Sequence, residues 1–211
     1  MGSRAEDIKT PVNIASYTRD LFTARERENG TKGYGVTFIF DKEQDLSKLH
    51  QNALEAAEAE WPGKPVREWI KDGTIKSPFL DGDSKQGRDQ EGNQRPELKG
   101  KTFIRCTSGE NFPPKVFRRN GVSRITDPSE IPSGSKTLGV VNAFAWENKK
   151  NGKGISFGVS IVQLHTKAEG AAVLGGSGSG PDPEKFLEKL SDEGDAPAET
   201  KSGAGAGGLF G

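Results

Sequence analysis

The longest patterned stretch runs from Thr137 to Leu164, where two apolar runs rich in β-branched and aromatic residues flank a polar turn, Glu147 to Lys153. The turn holds Asn151-Gly152, so the stretch predicts a long β-hairpin. In the second arm Ile155, Phe157, Val159 and Ile161 fall on one face, and Ser156, Gly158 and Ser160 on the other. That alternation predicts a strand buried on one side, with its other side open to solvent or ligand. The first arm is apolar on both faces, Leu138, Val140, Phe144 and Trp146 against Val141, Ala143 and Ala145. The same period of two marks Tyr34 to Phe40, where Tyr34, Val36, Phe38 and Phe40 oppose Thr37 and Ile39. It recurs in Lys101 to Thr107, with Phe103 and Arg105 on one face and Ile104 and Cys106 on the other. Val12 to Phe22 can supply a further, earlier strand, with Tyr17 and Phe22 as candidate packing residues.

The period changes to that of a helix after Phe40. Asp41 and Gln44 have capping-box spacing, and Leu46, Leu49, Ala53, Leu54, Ala57 and Trp61 follow at helical intervals until Pro62-Gly63. A helix is predicted over about 42–60, with its apolar stripe against one side or the open end of a barrel. Trp69 and Ile70 suggest a short helical turn nearby. Between Ile75 and Gly100 the chain is polar and rich in Gly and Asp, which predicts a mobile surface loop that is functional or disordered. Asp81, Asp83 and Asp89 invite a calcium-loop reading, but the EF-hand's closing Glu and flanking helices are missing. Residues 1–10 are polar and are expected to be flexible. The patterned region, 11–174, forms one domain in this reading. Residues 175–211 form a Gly/Ser linker and an acidic tail, which cannot bury enough apolar surface to fold alone.

Composition supports this division. Only 31% of the 211 residues are hydrophobic and 28 are Gly, so part of the chain is not expected to pack. One Cys and two His exclude a disulfide framework and a structural zinc site. No apolar run approaches a membrane span and no signal-peptide core is present, so a soluble, intracellular protein without membrane contact is expected. Charge is zero overall, with 30 basic and 30 acidic residues. Residues 181–211 hold seven acids and three bases, a net −4, so residues 1–180 carry +4. A basic body on an acidic tail is a charge asymmetry associated with nucleic-acid binding.

Candidate chemistry lies where aromatic and basic residues meet, since rings stack on bases while cations track phosphates. Three places qualify: Phe103 with Arg105, the segment with Phe112, Lys115, Phe117, Arg118 and Arg119, and the hairpin end with Trp146, Lys149, Lys150 and Lys153. Each has a plainer reading, as a half-buried Phe beside an exposed Arg, a solvated loop, or a core strand ending in a lysine turn. Phe144 is open between core and groove. In the tail, Asp192, Glu193 and Asp195 with the apolar tip Leu209-Phe210 suggest a docking peptide, or a tether remnant. No P-loop, HExxH or GxSxG is present, and neither His50 nor His165, placed past the last clear strand, sits beside a plausible nucleophile. An enzyme such as a metal-dependent nuclease using carboxylates of the 81–91 loop is the weaker alternative, and a virion or assembly β-barrel protein another. No cofactor is called for.

The order of the pieces resembles the phage-encoded single-stranded-DNA-binding proteins of the helix-destabilising type. The resembling parts are YGVTFIF with the helix after it, FLDGD, KTFIRCT, the Pro-Lys-Val segment, DPSEIPSGS and the hairpin VNAFAWENKKNGKGISFGVSIVQL, followed by Gly-Gly and an acidic tail. The resemblance covers roughly residues 10–176 and a tail similar in kind. It implies a mainly β, OB-fold-like five-stranded barrel with an inserted α-helix and a disordered acidic C-terminal tail. It further implies a homodimer that binds single-stranded DNA during phage replication and recombination in the host cytoplasm. Its tail would touch replication proteins such as polymerase and helicase or primase. In this chain Phe210 is penultimate, and a Gly/Ala stretch separates it from the acids.

Overall fold

The structure is a computed structural model, and it describes residues 3–27, 30–170, 173 and 174. In chain order the strands among them are β1 (Ile8–Lys9), β2 (Asn13–Ser16), β3 (Arg25–Glu26), β4 (Lys32–Asp41), β5 (Ile75–Lys76) and β6 (Phe79–Asp81). Then come β7 (Lys101–Gly109), β8 (Lys115–Phe117), β9 (Lys136–Asn148) and β10 (Gly152–Thr166). Two helices, α1 (Ser47–Glu60) and α2 (Val66–Lys71), lie between β4 and β5.

The sheet runs β9-β2-β4-β7-β10, and β10 pairs back with β9, which closes a five-stranded barrel. All contacts around the ring are antiparallel except β7 with β10. The protein is therefore an OB-fold barrel with its helices inserted between the second and third barrel strands.

Alternation fixes the inside. Val36, Phe38 and Phe40 from β4, Ile104 and Cys106 from β7, and Ile155, Phe157 and Val159 from β10 share one buried core. Ile161 departs from the expected face. The β9–β10 register shifts between Val159 and Ile161, so Val162 turns inward at 0% exposure and Ile161 turns out. A β-bulge at Ser160 makes this switch, since one extra residue reverses the pleat beyond it. Burial pushes the Cys106 thiol pKa upward, which suits a packing residue rather than a nucleophile.

Helix α1 covers β9 through small residues on both partners, Ala53, Ala56 and Ala57 against Ala143 and Ala145, all buried. Asn52 stands in this contact and is 2% exposed. Its Oδ1 accepts from Ala143 N–H at 2.8 Å and its Nδ2 donates to the Glu6 carbonyl at 3.0 Å. The helix begins at Ser47, later than the capping-box spacing suggests. Asp41 is the last residue of β4, Gln44 donates to the Val12 carbonyl, and Asp45 accepts from Ser47 N–H at 2.9 Å. The first helical amide is thus met by Asp45, one residue before the N-cap position Leu46, while the strand keeps Asp41 in its ladder with Lys101.

Two further expectations are corrected. Residues 4–9 are not free: Arg4 bridges to Phe144, Ala5 N–H donates to the Ala143 carbonyl at 2.8 Å, and β1 pairs with Val140 and Val141. The exposed edge of β9 offers them unpaired backbone groups. The polar run 81–100 also folds onto the barrel. β6 pairs with β7, Asp83 accepts from Lys42 Nζ at 2.7 Å and from Gly100 N–H at 2.8 Å, and Leu98 is buried. A Cβ on Gly82 would stand 1.7 Å from the Leu98 carbonyl oxygen, so the close crossing there requires glycine. The expected first strand, Val12 to Phe22, is shorter, with β2 followed by a 3-10 turn at Thr18–Leu21. His165 lies within β10 rather than after it.

Candidate nucleic-acid interface

The pleat that buries Phe157 and Cys106 turns their neighbours outward. β10 pairs Gly158 with Thr107 of β7, then Ile161 with Lys115 and Gln163 with Phe117 of β8. β8 therefore continues the line of β7 along the same side of β10. Arg105, Thr107, Lys115 and Phe117 share the outer face, with Cys106 and Val116 as their buried counterparts. From Ser156 to Gln163 the strip spans roughly 23 Å at a strand rise near 3.3 Å per residue. The segment between β7 and β8 carries Phe112 at 74% exposure. Its backbone is held in a turn: Phe112 N–H donates to the Gly109 carbonyl at 2.9 Å, and the Ser108 hydroxyl donates to the Phe112 carbonyl. An exposed ring on a fixed backbone is a platform for a planar ligand.

Arg118 and Arg119 are exposed beyond this strip; Arg118 pairs with Glu130 at 2.6 Å. The Arg124 guanidinium stands over Phe117 at 5.9 Å from its centroid. On the other side of β10, Phe144 and Trp146 of β9, each half-buried, face outward opposite Ser156 and Gly154. Trp146 lies across Gly154, where an added Cβ would come within 2.3 Å of its ring, and its Nε1 donates to Ser156 Oγ at 2.9 Å. Lys149 and Lys150 are exposed at the hairpin end beyond it.

Two of the expected residues stand elsewhere. Phe103 is 1% exposed, covered with Ile39 and Leu98 beneath the folded 82–100 segment, so its ring is closed to a stacking base. Lys153 lies on the inward side with Ile155 and Phe157. Its Nζ binds Glu147 at 2.9 Å and sits 5.3 Å and 5.0 Å from the rings of Trp61 and Trp69. The lysine and Trp61, which donates to Glu147 at 3.1 Å, hold the Glu147 carboxyl below its ordinary pKa. Trp146 and Lys153 are thus separated by the pleat rather than joined in one wall. The tail residues Asp192, Glu193, Asp195, Leu209 and Phe210 lie outside the described residues.

Sequence reasoning missed one cluster. Tyr17, expected to pack, is instead 46% exposed and has φ 59°, a left-handed backbone rare for a non-glycine residue. Arg95 donates to its hydroxyl, with the guanidinium 5.2 Å from the ring centroid. Arg105 stands close enough to Arg95 that burial first, and repulsion second, lower its pKa. Residues 78 positions apart meet there, so no local pattern could disclose them.

Other sites are weaker. His50 stacks on Phe79 at 3.9 Å, and burial lowers its pKa. Asp89 caps its own turn through Asn93 and Glu91 N–H, and Asp81 and Asp83 pair with Lys42. Among the described residues no group of three His, Cys, Asp or Glu side chains is arranged to hold a metal ion, and no helix is long and apolar enough to cross a membrane.

Barrel and outer strip together define an OB-fold protein with an aromatic and basic strand face. The sequence profile of a family described as the ssDNA-binding protein of Enterobacter phage Enc34 matches residues 8–196, and the chain belongs to that family. Its fold is similar to the single-stranded DNA-binding protein of bacteriophage Enc34, with TM-score 0.58 at 19% identity, covering 85% of this chain and 89% of that one. The same bacteriophage protein in complex with ssDNA matches with TM-score 0.56 at 20% identity, over 77% and 88% of the two chains. It also resembles gp2.5, a single-stranded DNA-binding protein encoded by bacteriophage T7, with TM-score 0.51 at 15% identity, over 92% and 100%. No curated protein matches the sequence directly.

Proposed function

We propose that this protein binds single-stranded DNA non-enzymatically, coating it during phage DNA replication and recombination in the cytoplasm of the infected host. The observation that carries the reading is the outer strip of β7, β8 and β10. It sets Arg105, Lys115 and Phe117 in register and holds Phe112 exposed beside them. Cations spaced along a strand face neutralise successive phosphates, and the rings accept bases without regard to sequence. Trp146 and Phe144 form the far side of the path across β10, and Lys149, Lys150, Arg118 and Arg119 extend its positive field. Family membership and the fold of the ssDNA complex support the assignment.

The acidic tail, residues 181–211, supplies −4 of charge on a Gly/Ser tether. In this reading it competes for the strip when DNA is absent, and its Leu209-Phe210 tip docks replication proteins when DNA displaces it. The functional unit is a homodimer. Titrating oligo-dT into the full chain while following tryptophan emission tests the function. Quenching at 50 mM salt that is lost in Trp146→Phe supports it; no binding at that salt contradicts it.

A further inference from the structure

The cluster of Tyr17, Arg95 and Arg105 has a geometry that packing does not require. Both arginines border the same turn at the foot of the outer strip, Arg95 N–H on the Gly87 carbonyl at 3.1 Å and the Arg105 guanidinium on the Gln86 carbonyl at 3.4 Å, and no ion pair joins Arg105 to a carboxylate among the described residues. The nearest compensation is Glu97, 3.5 Å from Arg95. Beyond its long contact with the Gln86 carbonyl, Arg105 lies over the Phe103 ring, 5.5 Å from its centroid. Repulsion between such groups is relieved when an anion enters between them. Tyr17 holds a left-handed backbone that a side chain of its kind adopts at a cost, and it keeps its ring nearly half exposed.

The support beneath the cluster is firm. Gln94 Nε2 donates to the Gly82 carbonyl at 2.9 Å, Arg95 N–H donates to the Gly87 carbonyl at 3.1 Å, and Leu98 is buried against Phe103. The 82–100 segment thus fixes Arg95 over the barrel instead of leaving it on a free loop. Held donors bind an anion with less lost freedom than donors on a mobile chain.

We propose that Arg95 and Arg105 clasp one backbone phosphate of a single strand while Tyr17 stacks the adjoining base. The 82–100 segment is then part of the binding machinery, and the strand path runs from this subsite up the strip to Lys115 and Phe112. The inference rests on the single-stranded DNA reading above, and the test separates the two.

The experiment measures oligo-dT affinity of the full chain over a range of salt for wild type, Arg95→Gln, Arg95→Lys, Arg105→Gln, the two Gln changes together and Tyr17→Asn, with a thermal melt of each. Each phosphate contact contributes about 0.7 to the log–log salt slope for a single strand. Because the two arginines share one phosphate, Arg95→Gln and Arg105→Gln each lower the slope by part of that amount and the doubly substituted protein by all of it, while Arg95→Lys keeps the wild-type slope. Tyr17→Asn accepts the left-handed backbone, keeps its melting temperature, and loses at least about fivefold in affinity with the slope unchanged. If wild type binds and both Gln variants keep its slope, the subsite is overturned while the function stands. Full affinity in a folded Tyr17→Asn overturns the stacking role. If wild type does not bind, the function and the subsite fall together.

Discussion

Replacing Phe112 by Ala separates stacking from folding more cleanly than any other change in the strip. The side chain is 74% exposed, so little of its area contributes to the core. The turn beneath it is made by backbone groups and Ser108, which the substitution leaves in place. The melting temperature is therefore expected to stay within about 1–2 °C of wild type, as for surface substitutions generally. Loss of one stacked base costs about 1–3 kcal/mol, which is about a 5- to 150-fold rise in Kd for oligo-dT. No charge is removed, so the salt slope stays that of wild type. A fluorescence titration at 50, 100 and 200 mM salt reads both quantities. Unchanged affinity would refute the claim that an exposed ring on the β7–β8 turn meets the strand. A changed slope would show that the substitution moved the neighbouring cations instead.

Other predictions follow from the barrel. Gly154→Ala drives a methyl into the Trp146 ring and strains its bond to Ser156; a stability loss of about 1–3 kcal/mol and a red-shifted tryptophan emission are expected, and neither should be absent. Asn52→Ala leaves the buried Ala143 N–H without its acceptor and should lower stability by about 1–3 kcal/mol, seen as a drop of several degrees in Tm by circular dichroism. The Glu147 carboxyl is bound by Lys153 and Trp61, so its folded pKa lies below the unfolded one. It therefore stabilises the fold above the ordinary glutamate pKa and stops doing so as pH falls through the folded value. Wild type should melt above Glu147→Gln at pH 7, with the gap closing in the acid range; a gap that widens on acidification would contradict the assignment.

The pattern of the chain was informative wherever one face of a strand is buried by its own neighbours. β4 and the start of β10 place Phe38, Phe40, Ile155 and Phe157 inside as alternation predicts. The bulge at Ser160 was hidden because Ile161 and Val162 are both apolar, so either could serve as the inward residue. Lys153 shares the parity of Ile155 and Phe157, and that alone signals its inward side, away from Trp146. Phe103 and Arg105 were correctly placed on one face, but alternation does not say what covers it. The cover comes from Leu98 and the 82–100 segment, held by Asp83, Lys42 and Gly100, contacts between distant positions. Tyr17 and Arg95 escaped for the same reason.

The outer strip of β7, β8 and β10 is the proposed path of the strand. The most direct measurement is photocrosslinking of the full chain to oligo-dT carrying iododeoxyuridine, with the attached peptides mapped by mass spectrometry. Crosslinks at Phe112, Phe117, Trp146 and Tyr17 are predicted, since these rings lie on the outer face. Crosslinks confined to Trp61 and Trp69, on the inward side with Lys153, would contradict it.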